Sequence, residues 1–419
     1  MSSARTGALF GAFRHRNFRL FYMGQIVSLS GLWMQRLAMS WLVYRITGSP
    51  LLLGTVDFMT QIPVLLFGSF TGAFLEGRDL RRIIMVCQTV SMLHALSLAV
   101  LTLTGVVQYW HILVLAAIIG VSDSFEIPAR QGFTIRLVED ERDLGNGIAL
   151  TSSLFNVTRL IGPSIAGMVI ALVGEGVCFL LNASAYTATL AALYLMRFRR
   201  PLVSETARKG VMDGMMEGIR YVTGFVPLRN YLSAIALVSF FAFPYMVLLP
   251  VFAREILGGG PRTLGFLTGA AGLGALAGSI RLALRKSPVG LGRTMAVSCA
   301  LMGVSMIIFS RSGHLGVSIL LMVCLGFFMV SSLVSCNTLV QTLVDDDKRN
   351  RVMSLFIVCA TGITPLGSLN YGWAASLIGS PNVLLAGGTA ALLIGIWLLR
   401  SWPRMHELSL PVYRRKNLL

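Results

Sequence analysis

Long apolar runs, broken at regular intervals by short polar stretches, set the pattern of this chain. A membrane-crossing helix needs about 20 mostly apolar residues. Twelve runs meet that need: Leu20–Tyr44, Leu51–Leu75, Ile83–Val106, His111–Pro128, Ile148–Val173, Cys178–Met196, Tyr231–Ala253, Thr263–Leu284, Thr294–Ser310, Gly316–Gln341, Val352–Ile378 and Val383–Leu399. The connectors are short and turn-like, as in Thr47-Gly48-Ser49-Pro50 and Gly379-Ser380-Pro381-Asn382. The expected fold class is an all-α polytopic membrane protein with twelve transmembrane helices in two six-helix halves. The longest connector, Arg197–Asn230, separates the halves. The predicted organisation is therefore an N-terminal half (1–196), a cytoplasmic linker (197–230), a C-terminal half (231–400) and a cytoplasmic tail (401–419). Within the linker, Gly214–Arg229 reads as an amphipathic helix on the inner leaflet or a plain tether.

Composition agrees with the pattern. Hydrophobic residues make up 55% of the 419 and charged residues 13%, half the usual soluble share of about 25%. A disordered chain, a disulfide-framed secreted domain and an ordinary soluble enzyme are all excluded. The net charge of +17 would, alone, point to nucleic acid. Placement of the bases removes that reading. With the N-terminus cytoplasmic, 29 of the 35 Lys and Arg fall in cytoplasmic segments. Only Arg45, Arg254, Arg262 and Arg311 fall opposite, and Arg36 and Arg159 lie inside spans. This is a positive-inside bias that puts both termini in the cytoplasm. The basic clusters abut spans, where they attract anionic lipid headgroups. The six cysteines are scattered without metal-ligand spacing and read as packing residues. His94 and His111 read as packing or membrane-edge residues.

The halves repeat at an offset of 206. Leu137-Val138-Glu139-Asp140-Glu141-Arg142 matches Leu343-Val344-Asp345-Asp346-Asp347-Lys348, and Gly72 matches Gly278. Parallel repeats of this kind are a transporter signature. The Asp345–Asp347 run then reads as a cytoplasmic loop rather than a metal site.

Several segments, in order, resemble the major facilitator superfamily, and within it the branch of enterobactin exporters and transmembrane secretion effectors. They are Phe13-Arg14-His15-Arg16-Asn17-Phe18-Arg19-Leu20, Gly48-Ser49-Pro50, Pro128-Ala129-Arg130-Gln131, Gly162-Pro163-Ser164-Ile165-Ala166-Gly167, and Tyr245–Arg254 followed by Gly258-Gly259-Gly260. The resemblance spans essentially the whole chain. It implies alternating access, secondary transport and small-molecule export. It also implies a cytoplasmic latch in the loop after span two, carried here by Gly72, Glu76, Arg78, Asp79, Arg81 and Arg82. This loop departs from the family pattern at Glu76, Gly77 and Asp79. Gly162, Pro163 and Gly167 resemble the antiporter motif, although Ala166 stands where a second glycine often lies. Packing alone also explains them. Span five is expected to meet the glycine-rich span eight.

Ionisable residues inside a bilayer are default functional candidates. Three of the 18 acids lie in spans: Asp57, Asp123 and Glu126. Asp123 and Glu126 share a face of span four, and with Arg159 of span five they are the candidate proton-coupling set. Arg36 and Asp57, each near the outer end of its span, are a candidate outer charge pair or gate; a purely structural pair fits equally. Glu126 with Arg130 also reads as a plain helix-end pair. The C-terminal half has no such charges.

The leading expectation is a proton-coupled antiporter exporting a small amphiphilic molecule, siderophore-like or drug-like, from the bacterial cytoplasmic (inner) membrane. Its partners are the substrate, protons and membrane lipids, with no nucleic acid, no cofactor and a monomeric state. A lysolipid flippase, a small-molecule importer, and a non-transporting scaffold or sensor stand as alternatives. No GxSxG, P-loop or HExxH motif marks an enzyme.

Overall fold

The structure is a computed structural model. It describes residues 11–138, 140–198, 211–285, 287–416 and 418. The helices are α1 (Arg16–Thr47), α2 (Pro50–Leu75), α3 (Leu80–Leu103), α4 (Tyr109–Leu137), α5 (Glu141–Val173) and α6 (Glu175–Leu195). The linker helix is α7 (Val211–Gly224). Then come α8 (Val226–Ile256), α9 (Pro261–Ala283), α10 (Leu291–Ser310), α11 (Leu315–Leu343), α12 (Arg349–Ile378) and α13 (Ser380–Arg415).

Among the described residues, eleven helices are long and apolar enough to cross a membrane. The twelfth expected span, α1, is 32 residues long but carries more polar and charged side chains. Its polar side chains turn inward. Gln25, Ser28 and Gln35 are buried. Asn182 of α6 donates to the Gln35 carbonyl oxygen at 2.6 Å, and the Gln35 amide nitrogen lies 3.1 Å from His94 Nδ1 on α3. The Thr189 hydroxyl donates to the Gly24 carbonyl at 3.0 Å. With no water in the hydrocarbon core, a span can keep such groups only if they bond to one another. The protein is thus an integral membrane protein with an all-α fold.

The chain divides into two compact units. One holds Met1–Thr47 and Met59–Arg208; the other holds Gly48–Phe58 and Lys209–Leu419. At the basic end of the first unit, Phe18 and Phe21 of α1, Leu80 and Ile84 of α3, and Phe133 and Leu137 of α4 form a buried core.

The second unit contains broken helices. Helix α8 is regular to Phe241, narrows to a 3-10 turn at Phe243–Leu248, and ends in a π turn at Phe252–Ile256. Pro244 and Pro250 cannot donate backbone hydrogen bonds, which accounts for the change. Helix α12 carries a π turn at Val358–Gly362, just before Pro365.

Two sequence expectations change here. In the linker, Val211–Gly224 is helical, and the helix expected over Gly214–Arg229 is interrupted at Phe225, which caps the start of α8. The segment read as a tail after residue 400 is helical as far as Arg415. Its buried Met405, Ser409 and Tyr413 recur every four residues on one face. Among the charges of Arg404, Glu407, Arg414 and Arg415, this spacing does not stand out in the sequence.

Candidate functional site

In the first unit, Glu126 is 5% exposed on α4, although it is a carboxylate. The Gln88 amide of α3 donates to Glu126 Oε1 at 2.8 Å. Arg130, one turn on, places Nη1 3.5 Å from the same oxygen. That nitrogen also lies 3.4 Å from Gln25 Oε1 on α1. The guanidinium therefore bridges α4 and α1, while Gln25 Nε2 is buried with no partner among the described residues. Asp123, half-buried one turn before Glu126, interacts electrostatically with Glu126, Arg36 and Arg130. The spacing Asp123, Glu126, Arg130 thus becomes one cluster, fixed by α1 and α3.

Arg159 and Arg36 meet at a residue that sequence reading passed over. The Arg36 guanidinium lies 5.2 Å from the Trp33 ring centroid and that of Arg159 lies 5.7 Å from it. Phe155 packs edge-on to the same ring at 5.5 Å. Two cations on one aromatic ring form an electropositive, polarisable platform. A signal for it existed. Trp33 precedes Arg36 by three residues, and Arg159 precedes Gly162 by three, so each pair shares a helix face. Gly162 faces α1, where an added Cβ would come within 2.7 Å of Trp33 Cβ. The close approach that Gly162 allows is thus between α5 and α1, and it delivers Arg159 to Trp33. Pro163 follows inside α5, and Gly167 is buried one turn later. In the second unit, Gly278 of α9 faces α11, where an added Cβ would lie 2.8 Å from the Phe327 carbonyl oxygen. Asp57 belongs to the other unit from Arg36, and their pairing stays a proposal.

In the loop after α2, Gly77 takes a left-handed conformation (φ 69°) that turns the chain. Asp79 caps α3 by accepting from the Arg81 backbone N–H at 3.0 Å and lies 3.6 Å from Arg82. Arg81 donates to the Tyr194 carbonyl at 3.1 Å, and Arg78 stacks 3.6 Å from the Phe74 centroid. Glu76 is exposed, and Gly72 lies in the last turns of α2.

The spans α8–α13 offer backbone breaks and keep their charges at the span ends. The Phe241 carbonyl, freed where α8 changes geometry, accepts from the Tyr371 hydroxyl of α12. The Ala360 carbonyl in the π turn of α12 accepts from Ser239 of α8 at 3.0 Å. Each break has a carbonyl that a side chain of the other helix satisfies. Irregular backbone at membrane depth is tolerated only when satisfied in this way or when lining a cavity, and π turns recur at functional positions.

At the basic end of the second unit, Glu217 of α7 pairs with Lys348 and Arg351. The Tyr221 hydroxyl donates to Asp345 at 2.8 Å, and Arg415 meets the same carboxylate at 2.5 Å. The Lys348 hydrogen bond, joined by Arg351, holds the Glu217 carboxyl below its ordinary range. Tyr221 and Arg415 do the same for Asp345. The linker helix and the end of α13 are thus clasped to the loop between α11 and α12.

Known proteins resemble this chain over nearly its whole length. A staphyloferrin A transporter of Staphylococcus aureus is 23% identical over 379 residues, covering 90% of this chain and 94% of its own. The multidrug efflux pump Tap of Mycolicibacterium fortuitum is 25% identical over 381 residues, covering 89% and 92%. The crystal structure of the nucleoside transporter NupG shares the fold, with a TM-score of 0.72 at 11% identity over 92% of this chain and 99% of that one. Residues 7–413 match the family described as transmembrane secretion effector, and the chain belongs to that family of transporters within the major facilitator superfamily.

Proposed function

We propose that the protein is a proton-coupled secondary transporter that exports a small amphiphilic molecule, siderophore-like or drug-like. It works by alternating access in the bacterial cytoplasmic membrane, with both termini in the cytoplasm. The observation that carries this reading is Glu126, a buried carboxylate held by one neutral donor and one arginine. Protonation would cancel its attraction for Arg130, and the guanidinium could then turn wholly to Gln25. A proton gained on α4 would thereby change the tie between α4 and α1. Asp123, one turn away, places a second negative charge where only one is easily kept.

Arg36 and Arg159 on Trp33 provide the substrate platform in this reading: a ring for an apolar body, and two guanidiniums for an anionic group. The activities of the relatives, staphyloferrin A transport and multidrug efflux, support movement of such solutes. The test uses everted vesicles with an imposed pH gradient, offering a siderophore, a lipophilic cation and a lysolipid. Uptake that depends on the gradient, and is lost in D123N/E126Q, is the expected result. Gradient-independent uptake in both proteins would overturn proton coupling, and uptake of the lysolipid alone would turn the reading to lipid flipping.

A further inference from the structure

At the basic end of the second unit, a cavity of about 680 Å³ opens among α9, α10, α11 and α13. Its charge comes from three arginines: Arg281 in the last turn of α9, Arg285 just beyond it, and Arg293 at the start of α10. Arg285 is committed to its own loop. Its Nε donates to the Ser287 carbonyl at 2.9 Å, Nη1 to the Thr294 hydroxyl at 3.0 Å, and Nη2 to the Val289 carbonyl at 2.5 Å. The Arg281 guanidinium rests 5.8 Å from the Phe327 centroid, and Trp402 and His406 of α13 stack at 5.2 Å and 18°.

Lys348, Arg351 and Arg415, at the same end of this unit, each hold a carboxylate. Among the described residues, none of Arg281, Arg285 and Arg293 has one within ion-pair distance. Arg281 and Arg293 also have no hydrogen-bond acceptor there. Among the described residues, these two guanidinium forks line the cavity without a carboxylate partner, and Arg281 rests on the Phe327 ring.

The cavity continues into an apolar track. Val297 and Leu301 line it, and Val304 and Ile308 follow at helical spacing on the same face of α10. All four are exposed. On a spanning helix such a strip meets hydrocarbon, and it runs about 16 Å from Val297 at 1.5 Å per residue. A soluble phosphate would use the arginines and leave the strip idle. A molecule with an anionic head and an acyl chain uses both.

We propose that this cavity binds the headgroup of an anionic phospholipid, with the phosphate between Arg281 and Arg293 and one chain along α10. Basic pockets between helices on the cytoplasmic side suit such headgroups, and guanidinium forks match phosphate oxygens. The proposal rests on the membrane-spanning fold and, for the choice of inner leaflet, on the orientation proposed above. It does not depend on the transported solute.

The test uses the full chain in lipid nanodiscs. Trp402 reports occupancy through quenching by chain-brominated lipids, with W402F identifying its share of the fluorescence. Brominated phosphatidylglycerol should quench Trp402 more strongly than brominated phosphatidylcholine. In R281Q/R293Q that preference should fall roughly tenfold, while thermal stability in neutral lipid stays that of the wild type. Equal quenching by both lipids, or an unchanged preference in R281Q/R293Q, would overturn the site. Loss of the preference on adding millimolar inorganic phosphate would overturn the lipid as the natural occupant and leave a phosphate site. Mass spectrometry of the detergent-purified protein checks the same point without tryptophan: wild type should carry phosphatidylglycerol and R281Q/R293Q should not. Transport driven by a pH gradient is a separate readout, so failure here leaves the transport reading standing.

Discussion

The six spans α1–α6 and the six spans α8–α13 solve the membrane problem differently. The first set keeps its helices continuous and puts charge inside them: Arg36, Asp123, Glu126 and Arg159, on three helices held by Gln25, Gln88 and Trp33. The second set confines charge to its span ends and breaks its backbone, with α8 and α12 trading hydrogen bonds across Tyr371 and Ser239. Continuous helices can hold a buried charge because neighbouring side chains supply its partners at fixed positions. Broken helices gain backbone groups that can re-pair, which suits the part of a transporter that changes shape. In the proposed transport cycle, this difference would give ion handling to one half and conformational compliance to the other.

The largest effect should come from removing the charge in the first half. D123N/E126Q is expected to lower pH-driven transport by roughly tenfold or more, the scale of losing one charge-assisted hydrogen bond of about 1.5–3 kcal/mol. Amide replacement keeps the shape, so the protein should purify in normal yield. Transport kept at wild-type level under a pH gradient would break the division of labour. R159Q sharpens the same point. It should weaken substrate binding, read as a raised KM, while gradient dependence persists, because Arg159 serves the Trp33 platform.

Packing comes next, and here the halves should behave alike. G162L would drive a side chain into Trp33, and G278L would drive one into the Phe327 backbone. Each should cost about 1–3 kcal/mol of overpacking, seen as a lower Tm in detergent. The first should also impair transport through displaced Arg159. Y371F probes the second half alone. It leaves the Phe241 carbonyl without its donor at a cost of about 1–3 kcal/mol. An unchanged Tm for Y371F would show that the α8 break does not need α12.

The spans and the acidic pair on α4 were legible because hydropathy and helical spacing are local. Helix α1 was legible by length, while its polar face made sense only once Gln35, His94 and Asn182 were seen together. The Trp33 platform was not read, because it needs Arg159 from 126 residues away, and only the facing of Gly162 brings it there. The breaks in α8 were signalled by Pro244 and Pro250 but hidden in a run whose hydrophobicity was enough to call a plain span. The clasp of α7 and α13 was hidden for the opposite reason. Its residues are charged, and charge beyond a span reads as solvated tail.

That clasp gives the smallest effect, and it too separates the halves. The N-terminal counterpart uses different groups: His15 meets Asp143 at 3.3 Å, and the Ala12 N–H donates to Asn146 at 3.1 Å. His15 and Tyr221 stand 206 apart, the offset of the repeat. In the second half, Glu217 and Asp345 titrate below their ordinary ranges in the folded protein. The unfolded carboxylates bind protons more readily, so the stabilisation is present above their unfolded pKa near about 4 and is lost as pH falls through the lower folded values. Lys348, bonded to Glu217, titrates above its ordinary range. Its contribution is complete below about pH 10.4 and fades as pH rises past the folded value. The clasp should therefore hold through neutral pH and loosen only at the extremes. Hydrogen exchange of residues 211–224 checks this: protection should be flat from about pH 5 to 9 once corrected for intrinsic rates, and lower throughout in E217Q. Protection in E217Q equal to wild type would mean that α7 is held by Val222 and its apolar neighbours rather than by the charged clasp.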